Sequence, residues 1–181
     1  MANYYLDIET TGLDSEKSKI ITIQFQELDR FANPIGKLVI LKEWESSEKE
    51  IIAEFISKSR ILESVWSFVP FGYNLRFEHK FLLYKSSFYG FPTIDIANNP
   101  HIDLFFTGVI MNNGMFKGAA LDKITGKPRN GSIIPQWYEH KEYGKIIDYI
   151  ETETREYLRF ANWLYKVLPE ILKEFKKNIG K

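Results

Sequence analysis

The heptapeptide at residues 7–13, Asp-Ile-Glu-Thr-Thr-Gly-Leu, constrains the fold of this chain more than any other segment. It continues the apolar run at residues 4–6, a pattern that predicts a β-strand. Because successive side chains of a strand point to opposite faces, Asp7 and Glu9 leave the same face. The Thr-Thr-Gly sequence at 10–12 then favours a turn, which places both carboxylates at an open strand end that a substrate can reach.

A pair of neighbouring carboxylates is typical of a metal site. The two groups repel each other and raise each other's pKa unless a cation lies between them. Mg²⁺ and other hard divalent cations prefer this all-oxygen environment. The chain has no cysteine, so disulfides and thiolate metal sites are excluded and metal ligands must be oxygen or imidazole groups. An isolated Asp-x-Glu also fits a solvated acidic strand end, so the chemistry depends on further acidic positions.

Length and composition favour a single domain. The 181 residues, 44% of them hydrophobic, fit one core, and we expect one domain over residues 1–181. No apolar run approaches the ~20 residues that cross a bilayer, and the N-terminus resembles no secretory signal, so we expect no membrane partner and a cytoplasmic protein. The formal net charge is zero, which argues against a large sequence-independent nucleic-acid surface but allows a local basic groove.

Strand patterns follow the heptapeptide. The β-branched segment 20–26 and the apolar run 37–41, separated by a turn, predict an antiparallel meander with the first strand. The segment 66–73 predicts another strand, which Pro70 confines to a sheet edge or an early end. A short strand is expected around residues 101–104, and it is expected to pass into a helix.

Helix patterns alternate with strands in the second half of the chain. Ser46-Ser47 followed by Glu50 is typical of a capping box, and Pro169 predicts a break or bend in the last helix. Helices are predicted at about 46–62, 77–89, 119–124 and 143–177, with a polar loop at 127–132. This order of elements predicts an α/β fold with a mixed sheet.

A second acidic position, Glu78, lies at the predicted start of the 77–89 helix. Free backbone N–H groups there stabilise a negative charge, which favours an ionised metal ligand. Asn74 can fix the preceding loop by bonding to the backbone, and Phe77 can pack under the site. An acidic residue in the first turn is also an ordinary feature of helices, so a purely structural role stays open here.

A third pair, Tyr149 and Glu153, lies four residues apart on the last predicted helix, which places both side chains on one face. Asp148 is a rival for the last acidic position. The acidic run at 151–156 also fits a solvated helix face.

Together these segments resemble the three motifs of the DEDD superfamily of 3′–5′ exonucleases, which have a ribonuclease H-like fold. The heptapeptide matches the first motif. The second motif, Asn-x-x-Phe-Asp, is matched by residues 74–78 with Glu78 in place of Asp. The Tyr-x-x-x-Asp of the tyrosine branch is matched by Tyr149 and Glu153, again with Glu in place of Asp. The resemblance spans about residues 4–165.

The resemblance implies a ribonuclease H-like mixed five-stranded sheet flanked by helices, which begins with an antiparallel meander. It implies two Mg²⁺ or Mn²⁺ ions, with Tyr149 orienting the attacking water. The implied metal ligands are Asp7, Glu9, Glu78 and Glu153. The residues implied to bind substrate are Thr10, Thr11, Leu13, Asn74 and Phe77. The implied partners are the 3′ ends of single-stranded DNA or RNA.

Two other functions stay open at this point. The two Asp-to-Glu departures and the zero net charge favour a catalytically weak or inactive ribonuclease H-like module that binds nucleic acid or protein. A structure-specific endonuclease on the same fold is the third alternative. The sequence predicts neither an oligomeric state nor a preference between DNA and RNA.

Overall fold

One mixed sheet organises the computed structural model, which describes residues 2–126 and 131–179. Within these residues the sheet has five strands in the order β3-β2-β1-β4-β5. The strands are β1 (Asn3–Thr10), β2 (Ile20–Leu28), β3 (Val39–Lys42), β4 (Val69–Gly72) and β5 (Ile102–Asp103). The first three pair antiparallel, whereas β4 pairs parallel with both β1 and β5. The predicted mixed five-stranded sheet that begins with a meander is therefore confirmed.

Helices cover both faces of the sheet. They are α1 (Glu48–Ser59), α2 (Arg76–Phe88), α3 (Phe105–Met111), α4 (Leu121–Thr125), α5 (Ile134–Glu139) and α6 (Tyr143–Ile179). Helix α5 has no counterpart among the predicted helices. Of the predicted loop at 127–132, residues 127–130 lie outside the described residues, and Gly131–Ile133 form a 3-10 turn. None of the described helices is both long and apolar enough to cross a membrane.

The Ser47 cap of the predicted capping box is present at the start of α1. The Ser47 hydroxyl accepts a hydrogen bond from the N–H of Glu50 at 3.2 Å. The helix ends at Ser59 rather than at the predicted residue 62, because Arg60 adopts a left-handed conformation with φ of 58°. Its N–H still bonds the carbonyl of Ile56, which closes the last turn.

Pro70 lies inside the sheet, because β4 lies between β1 and β5. Of the two predicted alternatives the edge position is therefore wrong, and the strand ends two residues after the proline, at Gly72. The N–H of Val69 donates to the carbonyl of Ala2 at 2.9 Å, so Pro70, the next residue, turns its nitrogen away from β1. On that side β5 pairs only with Phe71 and Gly72, which follow the proline. The missing N–H of Pro70 therefore removes no bond from the sheet.

Of the break or bend predicted at Pro169, the break is absent, since α6 runs without interruption from Tyr143 to Ile179. The residues after the proline are mostly strong helix formers. An ion pair of 2.6 Å between Lys173 and Glu170 supports the first turn beyond it.

The core has a layer on each face of the sheet. Leu6 and Ile8 of β1 pack toward α1 and α2 with Phe55 and Phe81. On the opposite face Tyr5 packs against α6, where its ring lies 5.1 Å from the ring of Tyr157. The alternation of β1 therefore directs residues 5, 7 and 9 toward α6. One domain over residues 1–181 stays a prediction.

Candidate metal centre

Three carboxylates meet between β1 and α6. One oxygen from each of Asp7, Glu9 and Glu153 lies within 4.8 Å of the other two. Glu9 is buried and the other two are partly buried. Asp148, the rival for the last acidic position, is exposed and is not part of this group. The i, i+4 spacing on α6 brings Glu153 to the sheet because Tyr149, one turn earlier, is buried against it.

Glu78 completes the acidic group from the other side of Asp7. It lies in the first turn of α2, is 4% exposed, and shares a hydrogen bond with the Asp7 carboxyl. Burial raises the pKa of Glu78 well above its ordinary value, and the charge of Asp7 raises it further. The other oxygen of Glu78, Oε2, is buried without a hydrogen-bond partner in the described part of the chain. A buried carboxylate oxygen of this kind calls for a cation or a proton.

Asp103 at the end of β5 fixes the loop that leads into α2. Its carboxylate accepts the N–H groups of Asn74 at 2.8 Å and Leu75 at 2.9 Å, and that of Phe105 at 2.9 Å. Asn74 has a left-handed backbone, with φ of 66°. From the sequence we expected Asn74 to fix this loop by bonding to the backbone. In the structure the Asp103 carboxylate fixes the loop, because it accepts the N–H groups of Asn74 and Leu75. Asp103 thus ties the strand end to the helix start that carries Glu78.

Two further side chains orient Asp7. Gln24 lies directly opposite Asp7 in the antiparallel pair β1–β2 and donates to its Oδ2 at 2.8 Å. The Tyr5 hydroxyl donates to the same oxygen at 3.3 Å. Thr22 in turn donates to the Gln24 carbonyl oxygen at 2.9 Å, which fixes the orientation of the amide. Gln24 was not among the predicted site residues, although a glutamine between the apolar residues Ile23 and Phe25 of a predicted strand was an available signal.

Tyr149 lies within the acidic group. Its hydroxyl donates a hydrogen bond to the Glu153 carboxylate. Burial raises the pKa of the phenol well above its ordinary value, and the carboxylates of Glu153 and Glu9 raise it further. A Cβ built on Gly131 would lie 3.4 Å from this hydroxyl and 3.8 Å from Oε2 of Glu9, so Gly131 is in van der Waals range of both groups. Tyr149 is therefore a hydrogen-bond donor and not a base at neutral pH.

The turn after β1 is built by the two threonines of the heptapeptide. The Thr10 hydroxyl donates to the carbonyl of Gly12 at 2.6 Å, and the Thr11 hydroxyl accepts the N–H of Lys19 at 2.9 Å. The turn presents Leu13, whose side chain is 83% exposed. Both hydroxyls thus shape the turn, and Leu13 is free to contact a substrate.

A cavity of about 270 Å³ opens beside the acidic group. It is lined by Tyr73, Asn74, Phe105, Ala120, Leu121, Asp122, Gly131, Tyr149 and Glu153. Phe77, another predicted substrate contact, instead packs on the ring of Phe81 at 4.9 Å and lies partly buried in the core. The structure thus brings Asn74 to the cavity and places Phe77 beneath the start of α2.

The donor set fits divalent metal ions. It consists of carboxylate oxygens only, three of which can reach one ion, and the fourth carboxyl has an oxygen that the described residues leave unpaired. Without a cation, four acidic groups this close would have to share protons.

Comparison with protein families matches residues 4–165 to the family model RNase_H_2, described as the RNase H superfamily. Comparison with curated proteins gave no match.

Solved structures with a similar fold include exonuclease I. The crystal structure of E. coli exonuclease I in complex with a dT13 oligonucleotide has a TM-score of 0.62 and 13% identity, over 96% of this chain and 43% of that one. A product-bound structure of exonuclease I has a TM-score of 0.60 and 13% identity, over 97% and 46%. The ExoI/SSB-Ct complex has a TM-score of 0.60 and 13% identity, over 97% and 43%. The chain spans less than half the length of these proteins, and the likeness concerns the fold.

Proposed function

We propose that this chain, which belongs to the RNase H superfamily, is a metal-dependent 3′–5′ exonuclease acting on single-stranded DNA or RNA. One observation carries the proposal: carboxylates from β1 and α6 meet beside a cavity, and the Glu78 carboxyl of α2 contacts that of Asp7. Side chains so far apart in sequence gain nothing in stability from being placed together, because like charges repel. Their convergence is the expected arrangement for binding cations.

The proposed ligands of two Mg²⁺ or Mn²⁺ ions are Asp7, Glu9, Glu78 and Glu153. Such ions, when bound, lower the pKa of a water molecule and stabilise the oxygen that leaves the phosphate. Glu78 would give up its proton on binding, because a nearby cation reverses the effect of burial on its pKa.

The remaining groups of the site hold the substrate and the water. The Tyr149 hydroxyl keeps its proton, so it can orient the attacking water but cannot deprotonate it. Gln24 and Tyr5 both donate to one oxygen of Asp7 and so fix the orientation of its carboxylate at the site. We assign Leu13 and Asn74 to the terminal nucleotide. Thr10 and Thr11 shape the turn that presents Leu13, and Phe77 supports the start of α2.

The solved structures support single-stranded DNA as the first substrate to test. Exonuclease I, which shares this fold at 13% identity, was crystallised with a dT13 oligonucleotide and in a product-bound form. Its activity comes to this chain only as a proposal.

The test uses 5′-labelled single-stranded DNA and RNA with Mg²⁺ or Mn²⁺. We expect a ladder of products shortened from the 3′ end, absent in EDTA. Asp7→Ala should abolish the ladder, and Asp148→Ala, a change on an exposed site of α6, should leave it. No shortening with either metal refutes an exonuclease, and internal cuts would instead indicate an endonuclease.

A catalytically weak binding module is the second candidate. Glu78 and Glu153 are each one methylene longer than Asp, and Mg²⁺ tolerates little error in ligand geometry. Calorimetric titration with Mn²⁺ separates the two candidates. Tight binding of oligonucleotide without metal uptake and without turnover favours the module.

A further inference from the structure

An apolar patch continues outward from the cavity along α3 and the loop that follows it. Its members are large apolar side chains that are 46–76% exposed: Phe106, Ile110, Met111, Met115 and Phe116. Single exposed apolar residues are ordinary, but a contiguous group that adjoins a cavity marks an interaction surface.

Aromatic rings connect this patch to the acidic group. Phe105 lines the cavity together with Tyr149 and Glu153. The ring of Phe116, which is 63% exposed, lies 6.0 Å from the ring of Phe105. Behind them the Tyr73 ring lies 5.7 Å from Phe105 in an edge-on arrangement. We call Phe105 and Phe116 the aromatic rim.

The rim is held in place by its surroundings. The side-chain amide of Asn112 donates to the carbonyls of Met115 at 2.7 Å and Lys117 at 3.0 Å, which fixes the loop on both sides of Phe116. Under Phe105, the Tyr73 hydroxyl donates to the carbonyl of Ala119. A fixed loop backbone reduces the entropy that is lost when a flat ligand stacks on Phe116.

Two exposed lysines lie next to residues of the aromatic rim and of the cavity wall. Lys117 follows Phe116 directly and is exposed. Lys123 on α4 is 68% exposed and lies 3.6 Å from Asp122, a residue of the cavity wall. Aromatic rings can stack on the flat bases of a nucleic-acid strand, and the neighbouring lysines can bind its phosphates. An apolar protein partner would contact the rings but would offer no negative charge to the lysines.

We propose that the aromatic rim stacks the unpaired bases that precede the 3′-terminal nucleotide, so that Phe116 holds a part of the strand outside the cavity. This rests on the proposed exonuclease function of the acidic group. Stacking reads the flat face of every base, so the rim accepts any sequence. A base in a duplex is already stacked and paired, so a blunt end reaches the rim only after fraying.

The test compares two substrates on the full chain. One is a dT10 oligonucleotide, and the other is the p-nitrophenyl ester of thymidine 5′-monophosphate, which carries one nucleotide and cannot reach past the cavity. Phe116→Ala should lower the ratio of kcat/KM on dT10 to kcat/KM on the ester about 10-fold, mainly through KM, because one stacked base is lost. Phe116→Trp, which keeps a ring, should restore the ratio to within about 2-fold.

The matched control is Phe88→Ala. Phe88 is 64% exposed, like Phe116, but lies ten residues from Glu78 along α2, about 15 Å at the helical rise. This variant should keep the wild-type ratio. Wild type should also degrade a 3′ overhang faster than a blunt duplex, and Phe116→Ala should reduce that preference.

The possible results distinguish a failure of the proposed stacking by the aromatic rim from a failure of the proposed exonuclease function. If wild type cleaves neither substrate with Mg²⁺ or Mn²⁺, the proposed function fails, and the binding of fluorescein-labelled dT10 to wild type and Phe116→Ala still tests the rim. An unchanged ratio in Phe116→Ala overturns the rim, as expected if the patch binds a protein. An equal loss on both substrates overturns it too, because Phe116 would then act on folding or on the chemistry.

Discussion

Asp103 offers a quantitative test of how the acidic group is assembled, because its carboxylate accepts three backbone N–H groups. Oδ1 accepts from Asn74 and Phe105, and Oδ2 accepts from Leu75. Replacing a capping acceptor by Ala costs typically about 1 kcal/mol, and a hydrogen bond to a charged group is worth about 1.5–3 kcal/mol. Water can replace part of this, because the bond to Asn74 is exposed. We therefore expect Asp103→Ala to lower the free energy of unfolding by about 3 kcal/mol.

Asp103→Asn should lower the free energy of unfolding by an intermediate amount, which follows from the positions of the three N–H groups. Its one carbonyl oxygen can keep the two bonds of Oδ1, whereas the amide nitrogen faces the N–H of Leu75 and cannot accept it. The expected loss is about half as large, about 1.5 kcal/mol. A domain with about 5–15 kcal/mol of stability survives either change. At about 2–4 °C per kcal/mol, the expected falls in melting temperature are about 6–12 °C for Ala and about 3–6 °C for Asn.

Asp29→Ala is the matched control, because Asp29 also accepts three N–H groups, from Phe31 and twice from Asn33, but in an exposed turn. Asp29→Ala should lower the free energy of unfolding by about 1 kcal/mol and leave the nuclease activity at the wild-type level. Urea unfolding gives the three free energies, and metal-dependent turnover reports on Glu78. Equal losses in Asp103→Asn and Asp103→Ala, or a loss no larger than that of Asp29→Ala, would refute the assigned role.

Other expectations concern the acidic residues themselves. In the metal-free protein Asp7→Ala should leave the melting temperature equal or higher, because carboxylate repulsion is relieved, while turnover is abolished. Glu153→Ala should reduce kcat far more than Asp148→Ala, and the reverse order would mean that the last acidic position is misassigned. The raised pKa of Glu78 means that the folded state holds its proton more tightly than the unfolded state. The stability that this proton contributes is fully present below the ordinary pKa of Glu and is lost as the pH rises through the pKa of Glu78 in the folded state. The metal-free wild type should therefore lose more stability between pH 5 and pH 8 than Glu78→Gln. Parallel pH profiles of the two melting temperatures would contradict this expectation. Mn²⁺ should raise the melting temperature of wild type at pH 8 but not that of Asp7→Ala, as measured by calorimetry.

Much of the candidate site could be predicted from local sequence patterns. The period-two alternation of β1 predicts that Asp7 and Glu9 share a face, and the i, i+4 spacing on α6 predicts the same for Tyr149 and Glu153. The structure has both arrangements and brings the two pairs together. These relations depend on one element each, so the sequence is sufficient for them.

Relations between elements were not predictable in the same way. Gln24 contacts Asp7 only through the register of two strands, and the role of Asp103 depends on a strand of two residues pairing with β4. The position of Pro70 inside the sheet depends on where its neighbouring strand begins. Each is set by pairing across a distance in sequence that no local propensity specifies.

The acidic group joins segments that are far apart in the sequence, because Asp7 lies in β1 and Glu153 in α6. During synthesis on a ribosome, the first strand emerges long before α6 has been translated. A nascent chain therefore carries Asp7 and Glu9 without the partner that completes their group, and it gains that group only when the last helix docks. The order of translation thus leaves the proposed metal site incomplete until α6 has been made and has docked.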